Sequence, residues 1–174
     1  MDCPVRNAGF SLVESLVVVA IISLLSAISF PVILQSVRAR ELRSAVSELT
    51  GYLENAQSKA SGSDQPCLLV VTGQGSDQQI SPSPPSVLQP THSCSSLPVV
   101  RLLSGTWMPL ALNPVSVTSM TIGPRATLAS TITLRLSSAD VPGSEYCVQM
   151  IAPSSLVAAG VLINNNCNHV ALKL

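Results

Sequence analysis

The side chains that could carry out chemistry are few and scattered. The chain has two histidines, His92 and His169, and neither stands at a metal-ligand spacing from a cysteine or an acid. The sequence contains no phosphate-binding loop, no nucleophile elbow and no C-x-x-C redox pair. Acids of the second half, such as Asp140 and Glu145, stand among turn residues, where carboxylates are usually solvated. The sequence therefore predicts a protein that is not an enzyme and that binds no metal or other cofactor.

One carboxylate is notable for its position. Glu14 lies near the start of an apolar run that extends from Leu12 to Leu34. A run of about twenty mostly apolar residues is long enough to cross a bilayer core of roughly 30 Å. An acid inside such a run is costly and usually has a function. Either Glu14 meets a cationic partner in a dry environment, or its side chain simply reaches the membrane interface.

The helical pattern continues beyond the apolar run. Apolar residues at spacings of three and four form one stripe, which predicts an amphipathic helix that extends to about Ala60. The stripe consists of Leu42, Ala45, Val46, Leu49, Tyr52, Leu53, Ala56 and Ala60. Ser61-Gly62-Ser63 provides a stop signal. Because an apolar stripe must be covered, we expect a sheet to pack against this half of the helix.

The rest of the chain alternates short apolar runs with turn residues, which is typical of β-strands. The predicted strands are 67–72, 98–103, a segment around 115–122, 131–136, 146–151, 156–163 and 169–174. Residues 73–96 are rich in Gly, Ser, Pro, Gln and Asp, which predicts a flexible loop. Asn164-Asn165-Asn166 predicts a turn. The predicted fold class is α+β, with a long N-terminal helix packed on a mostly antiparallel β-sheet domain.

The motif Gly9-Phe10-Ser11-Leu12-Val13-Glu14, followed by the apolar helix, resembles the class III signal of type IV prepilins and type II secretion pseudopilins. The resemblance implies that residues 1–9 are a leader, that prepilin peptidase cuts between Gly9 and Phe10, and that the new amine of Phe10 is methylated. It also implies that Glu14 meets the N-terminal amine of a neighbouring subunit when the helices bundle in a filament.

The same resemblance implies the organisation of the mature chain. Residues 10–34 form the transmembrane and filament-core helix, 35–61 its amphipathic half, and 62–174 an extracytoplasmic domain. The expected location is the bacterial inner membrane, with a cytoplasmic N-terminus, and then a pilus or pseudopilus. The expected partners are other pilin or pseudopilin subunits, prepilin peptidase, the inner-membrane assembly platform and membrane lipid.

The distribution of basic residues departs from the usual prepilin pattern. The leader contains only Arg6, whereas Arg38, Arg40 and Arg43 follow the apolar run. Positive charge normally accumulates on the cytoplasmic side of a membrane helix. The expected orientation therefore rests on the motif and not on the charges.

Two further segments resemble the H-type pseudopilin and FimT-like minor pilin group. They are residues 53–60 leading into Cys67-Leu68-Leu69-Val70, and Ile122-Gly123-Pro124-Arg125-Ala126-Thr127. This resemblance implies a structural subunit, with an initiating or tip position as one option, of a type IV pilus or a type II secretion pseudopilus.

Two alternatives stay open, a DNA-capturing minor pilin and a signal-anchored extracytoplasmic domain of another function. DNA-binding members of the FimT-like group share a Gly-Arg-x-Arg stretch, and the corresponding Gly160-Val161-Leu162-Ile163 has no arginine. Non-specific DNA affinity depends on several Lys or Arg side chains that neutralise phosphates. After Lys59 the chain offers only Arg101, Arg125, Arg135 and Lys173, and its formal net charge is zero. These features argue against DNA as a partner.

The chain has five cysteines, and Cys3 lies in the predicted leader. Thiols pair in oxidising compartments, and the remaining four cysteines allow three pairings. Their positions favour Cys67–Cys94, which would close the polar loop onto the first strand, and Cys147–Cys167, which would pin the C-terminal strands. A Cys67–Cys147 bond and four buried free thiols are the alternatives.

Overall fold

The computed structural model describes residues 11–73, 77–84, 92–102, 117–143 and 145–169, without the side chains of 28–32. The predicted leader and its cleavage site at Gly9 and Phe10 lie outside this part of the chain. The backbone divides into two compact units, Met1–Val37 and Arg38–Leu174.

A single helix, α1, includes residues of both units and extends over Leu12–Ser61. Its first turn contains the acid Glu14 and its last turn the base Lys59, charges that complement the partial charges at the two helix ends. The helix ends immediately before Gly62, as the sequence predicts. Within the second unit, all eight residues of the predicted apolar stripe are buried, with Tyr52 the most exposed at 6%. The amphipathic prediction for this half of the helix is therefore confirmed.

The described residues contain eight strands in two four-stranded sheets. The strands are β1 (Cys67–Thr72), β2 (Gln79–Pro82), β3 (Val100–Arg101), β4 (Ser119–Ile122), β5 (Ile132–Ser137), β6 (Glu145–Ile151), β7 (Leu156–Ile163) and β8 (Asn166–Asn168). Their order is β3-β2-β1-β4 in the first sheet and β5-β6-β7-β8 in the second. Every strand pair is antiparallel, which confirms the α+β prediction with its antiparallel strands.

One hydrophobic core joins the α1 stripe to both sheets. The first sheet contributes Leu69 and Met120, and the second contributes Leu134, Val148 and Met150. Each large apolar side chain that is fully buried in this way stabilises the fold by about 1.5–3 kcal/mol relative to exposure. The sheets therefore provide the cover that the helix stripe requires.

The prediction of a flexible loop at residues 73–96 is wrong for the described part of that stretch. It contains β2, which pairs with both β1 and β3. Ile80 and Cys94 are fully buried, and His92 is only 4% exposed. One isolated isoleucine among polar residues gives no periodic signal, so the composition alone could not reveal this packing.

The last strand of the described residues begins within the predicted asparagine turn. Asn164 and Asn165 form the turn, with φ of 51° and 64°, and Ile163 pairs directly with Asn166. Two successive left-handed residues form the tight hairpin turn that best matches strand twist, and asparagine tolerates this conformation better than most residues. The third asparagine therefore already belongs to β8, and residues 170–174 of the predicted strand lie outside the described residues.

Two disulfides join the cysteine pairs that the sequence favoured. Cys67 and Cys94 have a Cα–Cα distance of 5.0 Å, and Cys147 and Cys167 one of 5.8 Å. The second bond links β6 to β8 although β7 lies between them. Next-nearest strands of a flat sheet are about 9.6 Å apart, twice the strand spacing, so β8 must bend over β7. Gly160 permits this bend, because a Cβ at that position would clash with the Asn168 carbonyl oxygen.

Candidate functional site

The N-terminal part of α1 presents an apolar surface that the described residues leave uncovered. Every large apolar side chain from Leu12 to Leu25 is exposed, from 47% at Val18 to 78% at Leu12. Soluble proteins rarely expose a contiguous apolar surface of this extent. These side chains therefore require an apolar partner, either lipid or other helices.

Glu14 is the one charged residue within this exposed apolar surface. It lies in the first turn of α1, where unpaired backbone N–H groups favour a carboxylate. The carbonyl of Ser11, the residue before α1, accepts a hydrogen bond from the Ser15 N–H at 3.2 Å. Glu14 is exposed, and it forms no hydrogen bond or ion pair with the described residues. Its carboxylate is thus available to a cationic group from outside this part of the chain.

Two serines in the same helical segment have their hydroxyl groups hydrogen-bonded within the helix. Ser23 donates to the Val19 carbonyl at 2.7 Å, and Ser26 donates to the Ile22 carbonyl at 2.8 Å. A hydroxyl that is bonded to the preceding turn has its donor satisfied within the helix. These serines are therefore compatible with an apolar environment.

Residues 5–30 match the family model described as the prokaryotic N-terminal methylation motif. The N-terminal segment is therefore similar to a prokaryotic N-terminal methylation motif. The matched range includes Gly9, Phe10 and Glu14, and it supports a type IV prepilin-like protein that prepilin peptidase processes. No curated protein and no solved structure gives a significant match to this chain.

Within the described residues, no helix is both long enough and apolar enough to span a membrane.

The candidate residues for DNA or metal binding are dispersed. Arg125 lies 3.3 Å from the Asp64 carboxylate, and Arg135 donates to the Asn165 side-chain oxygen at 3.1 Å. Arg101 is exposed on the short strand β3. Lys173 lies outside the described residues, and the segment at 160–163 is the apolar end of β7. Among the residues that the structure describes, no group of three or more His, Cys, Asp and Glu side chains could hold a metal ion.

Two contacts of the second unit could not be found from the sequence. Arg43 donates from Nε to the Tyr146 hydroxyl at 2.9 Å, and this hydrogen bond raises the pKa of the arginine above its ordinary value. Arg38 lies 3.7 Å from the Asp140 carboxylate. Both contacts connect the beginning of the amphipathic half of α1 to β6 and the turn before it. They depend on residues about a hundred positions apart, which no local pattern can pair.

Proposed function

We propose that this protein is a minor pilin or pseudopilin, a structural subunit of a type IV pilus or a type II secretion pseudopilus. The observation that carries the proposal is the uncovered apolar surface of α1, with Glu14 as its single charged residue, inside a prepilin-type methylation motif. The two segments that resemble the H-type pseudopilin and FimT-like group support an initiating or tip position within such a filament.

Before assembly, the subunit is stored in the inner membrane. Residues 1–9 are the leader, 10–34 lie in lipid with a cytoplasmic N-terminus, 35–61 continue as the amphipathic helix, and 62–174 lie outside the cytoplasm. The apolar composition of 12–34 and the exposure of its side chains up to Leu25 support this arrangement. The two disulfides also support an extracytoplasmic domain, because disulfides persist in oxidising compartments.

Processing prepares the N-terminus for assembly. Prepilin peptidase cuts the Gly9–Phe10 bond, and the amine of Phe10 is methylated. This step replaces an uncleaved leader with a cationic group at the head of the apolar helix. The inner-membrane assembly platform then moves the subunit from lipid into the filament, where its helix packs against the helices of other subunits.

Glu14 fixes the register of that packing. In the dry helical bundle its carboxylate pairs with the N-terminal amine of a neighbouring subunit, so that neither charge is buried alone. Breaking a buried pair by removing one partner typically costs 3–5 kcal/mol, because the other charge stays buried without compensation. The carboxylate is therefore dispensable for membrane storage and needed for assembly.

Intact mass spectrometry of the chain produced with and without a prepilin peptidase tests the processing step. With the peptidase, the mass should correspond to a chain that begins at methylated Phe10. Replacement of Gly9 by leucine should leave the precursor uncut. A mature chain that still begins at Met1 in the presence of an active peptidase would contradict the proposal.

A second experiment tests the role of Glu14. Glu14→Gln, which keeps the side-chain shape and removes the charge, should be cleaved normally but should be recovered in sheared filaments at less than a tenth of the wild-type amount. Glu54→Gln is the matched control, since Glu54 is an exposed acid of the same helix outside the motif. Equal recovery of Glu14→Gln and wild type would show that the charge does not act in assembly.

A further inference from the structure

Three arginines follow the exposed apolar surface of α1, and the proposed function leaves them without a role. This arginine cluster consists of Arg38, Arg40 and Arg43, all within the helix. If the N-terminus is cytoplasmic, the cluster lies on the outer side of the membrane, opposite to the usual distribution of positive charge. A specific partner for the guanidinium groups would offset this disadvantage.

The second unit satisfies only part of the cluster. The ion pair between Arg38 and Asp140 is long, at 3.7 Å, and each side chain is about one-third exposed, at 32% and 35%. Arg43 uses its Nε donor for Tyr146, and its side chain is exposed. Arg40 is exposed and forms no hydrogen bond or ion pair with any described residue. Because a guanidinium has five N–H donors, the cluster retains many donors for an outside acceptor.

If residues 10–34 lie in lipid, as the proposed function has it, the helical rise along α1 brings these donors to the depth of lipid headgroups. The apolar run ends at Leu34, so Arg38 and Arg40 follow it by about 6 and 9 Å at 1.5 Å per residue. The headgroup layer adds roughly 5–7 Å on each side of the hydrocarbon core. Helical side chains lean towards the N-terminus, which brings both guanidinium groups back towards that layer. Ile33 and Val37 stay apolar and exposed just before the cluster, at 58% and 38%.

We infer that the arginine cluster binds the phosphate groups of anionic phospholipid at the outer surface of the membrane. This inference rests on the proposed function, because it requires the apolar half of α1 to be stored in lipid. Arginine and phosphate form charge-assisted, often bidentate hydrogen bonds, which a lysine ammonium cannot reproduce. Arg40 is the principal contact, since its donors are unused, and Arg43 contributes those that Tyr146 leaves open.

The inference can be tested by lipid titration of the processed full-length chain in neutral-detergent micelles. Short-chain phosphatidylglycerol is added, and its affinity is measured from the arginine Nε–H resonances. Each arginine near an anionic membrane contributes enough to change affinity about fivefold. We expect Arg40→Gln to weaken binding about fivefold, Arg40→Lys to weaken it less, and the control Arg101→Gln to leave it unchanged. Short-chain phosphatidylcholine, which has no net charge, should bind at least fivefold more weakly than phosphatidylglycerol.

Several outcomes would overturn the inference. Equal affinity for the two lipids, an unchanged affinity of Arg40→Gln, or displacement of the lipid by an equal concentration of inorganic phosphate would each do so. If Arg40→Gln keeps its lipid affinity but is lost from filaments, the cluster contacts a neighbouring subunit instead. A chain that resides in micelles but binds no phosphatidylglycerol refutes the lipid site alone, whereas a processed chain that stays soluble without detergent refutes membrane storage as well.

Discussion

The two tyrosines of the chain have opposite hydroxyl environments, which yields a paired prediction. Tyr52 and Tyr146 are both buried, at 6% and 5% exposure. The Tyr146 hydroxyl accepts a hydrogen bond from Arg43 at 2.9 Å. The Tyr52 hydroxyl is buried without any hydrogen-bond partner among the described residues. Replacement by phenylalanine therefore removes a useful contact at Tyr146 and an unsatisfied polar group at Tyr52.

The expected magnitudes follow from these environments. An unsatisfied buried polar group costs about 1–3 kcal/mol, so Tyr52→Phe should raise the free energy of unfolding by about 1 kcal/mol or more. A hydrogen bond to a charged group contributes about 1.5–3 kcal/mol, but Arg43 is exposed and can turn to water. Tyr146→Phe should therefore lower the free energy of unfolding by only about 1 kcal/mol.

The pH dependence provides a second test of Tyr52. Burial raises its pKa from 10.0 to about 12, so the neutral phenol is favoured in the folded state. The free energy of unfolding is therefore unaffected by Tyr52 ionisation below pH 10, and it falls as the pH rises from 10 towards 12. At 1.36 kcal/mol per pKa unit, the resulting loss in the free energy of unfolding is at most about 2.7 kcal/mol. The advantage of Tyr52→Phe over wild type should therefore grow over this pH range.

Urea unfolding of the full chain in neutral detergent, followed by far-ultraviolet circular dichroism, measures both effects. A shifted midpoint with an unchanged slope reports a change in stability. A lower unfolding free energy of Tyr52→Phe relative to wild type would refute the reasoning, since it would show that the hydroxyl has a favourable partner.

The other predictions concern glycines and disulfides. Gly51→Ala should stabilise the chain by about 1 kcal/mol in the same assay, because Gly51 is inside α1 and a Cβ there meets no atom within 4 Å. A loss of stability would contradict this prediction and would reveal a close neighbour. Gly160→Ala should destabilise the chain by about 1–3 kcal/mol and slow formation of the Cys147–Cys167 disulfide, because the Cβ would clash with the backbone of Asn168. Normal stability and normal disulfide formation would show that β8 does not bend over β7 at Gly160. Non-reducing peptide mapping should recover Cys67 linked to Cys94, and a Cys67–Cys147 peptide would contradict both pairings. The cysteines of the Cys67–Cys94 bond are 27 positions apart, so removing this bond should cost about 3.5 kcal/mol by the chain-entropy estimate. An unchanged urea midpoint would count against this estimate.

Part of the fold follows from local patterns in the sequence. The stripe that begins at Leu42 has helical spacing, and all its members are buried as that spacing predicts. In β5, strict alternation places Leu134 and Leu136 inside and Arg135 outside. The methylation motif is equally local, since it depends on Gly9, Phe10 and Glu14 within a few residues of an apolar run. Such features are predictable because side chains a few positions apart share one face of a helix or strand.

Other features were decided only by tertiary structure. The division of the strands into two sheets depends on which strands pair, and no periodicity encodes that choice. Ile80 is buried because β1 and β3 flank it, although its neighbours in sequence are polar. Gly160 matters because β8 bends over it, and Arg43 finds Tyr146 across about a hundred residues. These contacts arise when distant segments pack on one core, so their signals are absent from any short stretch of the chain.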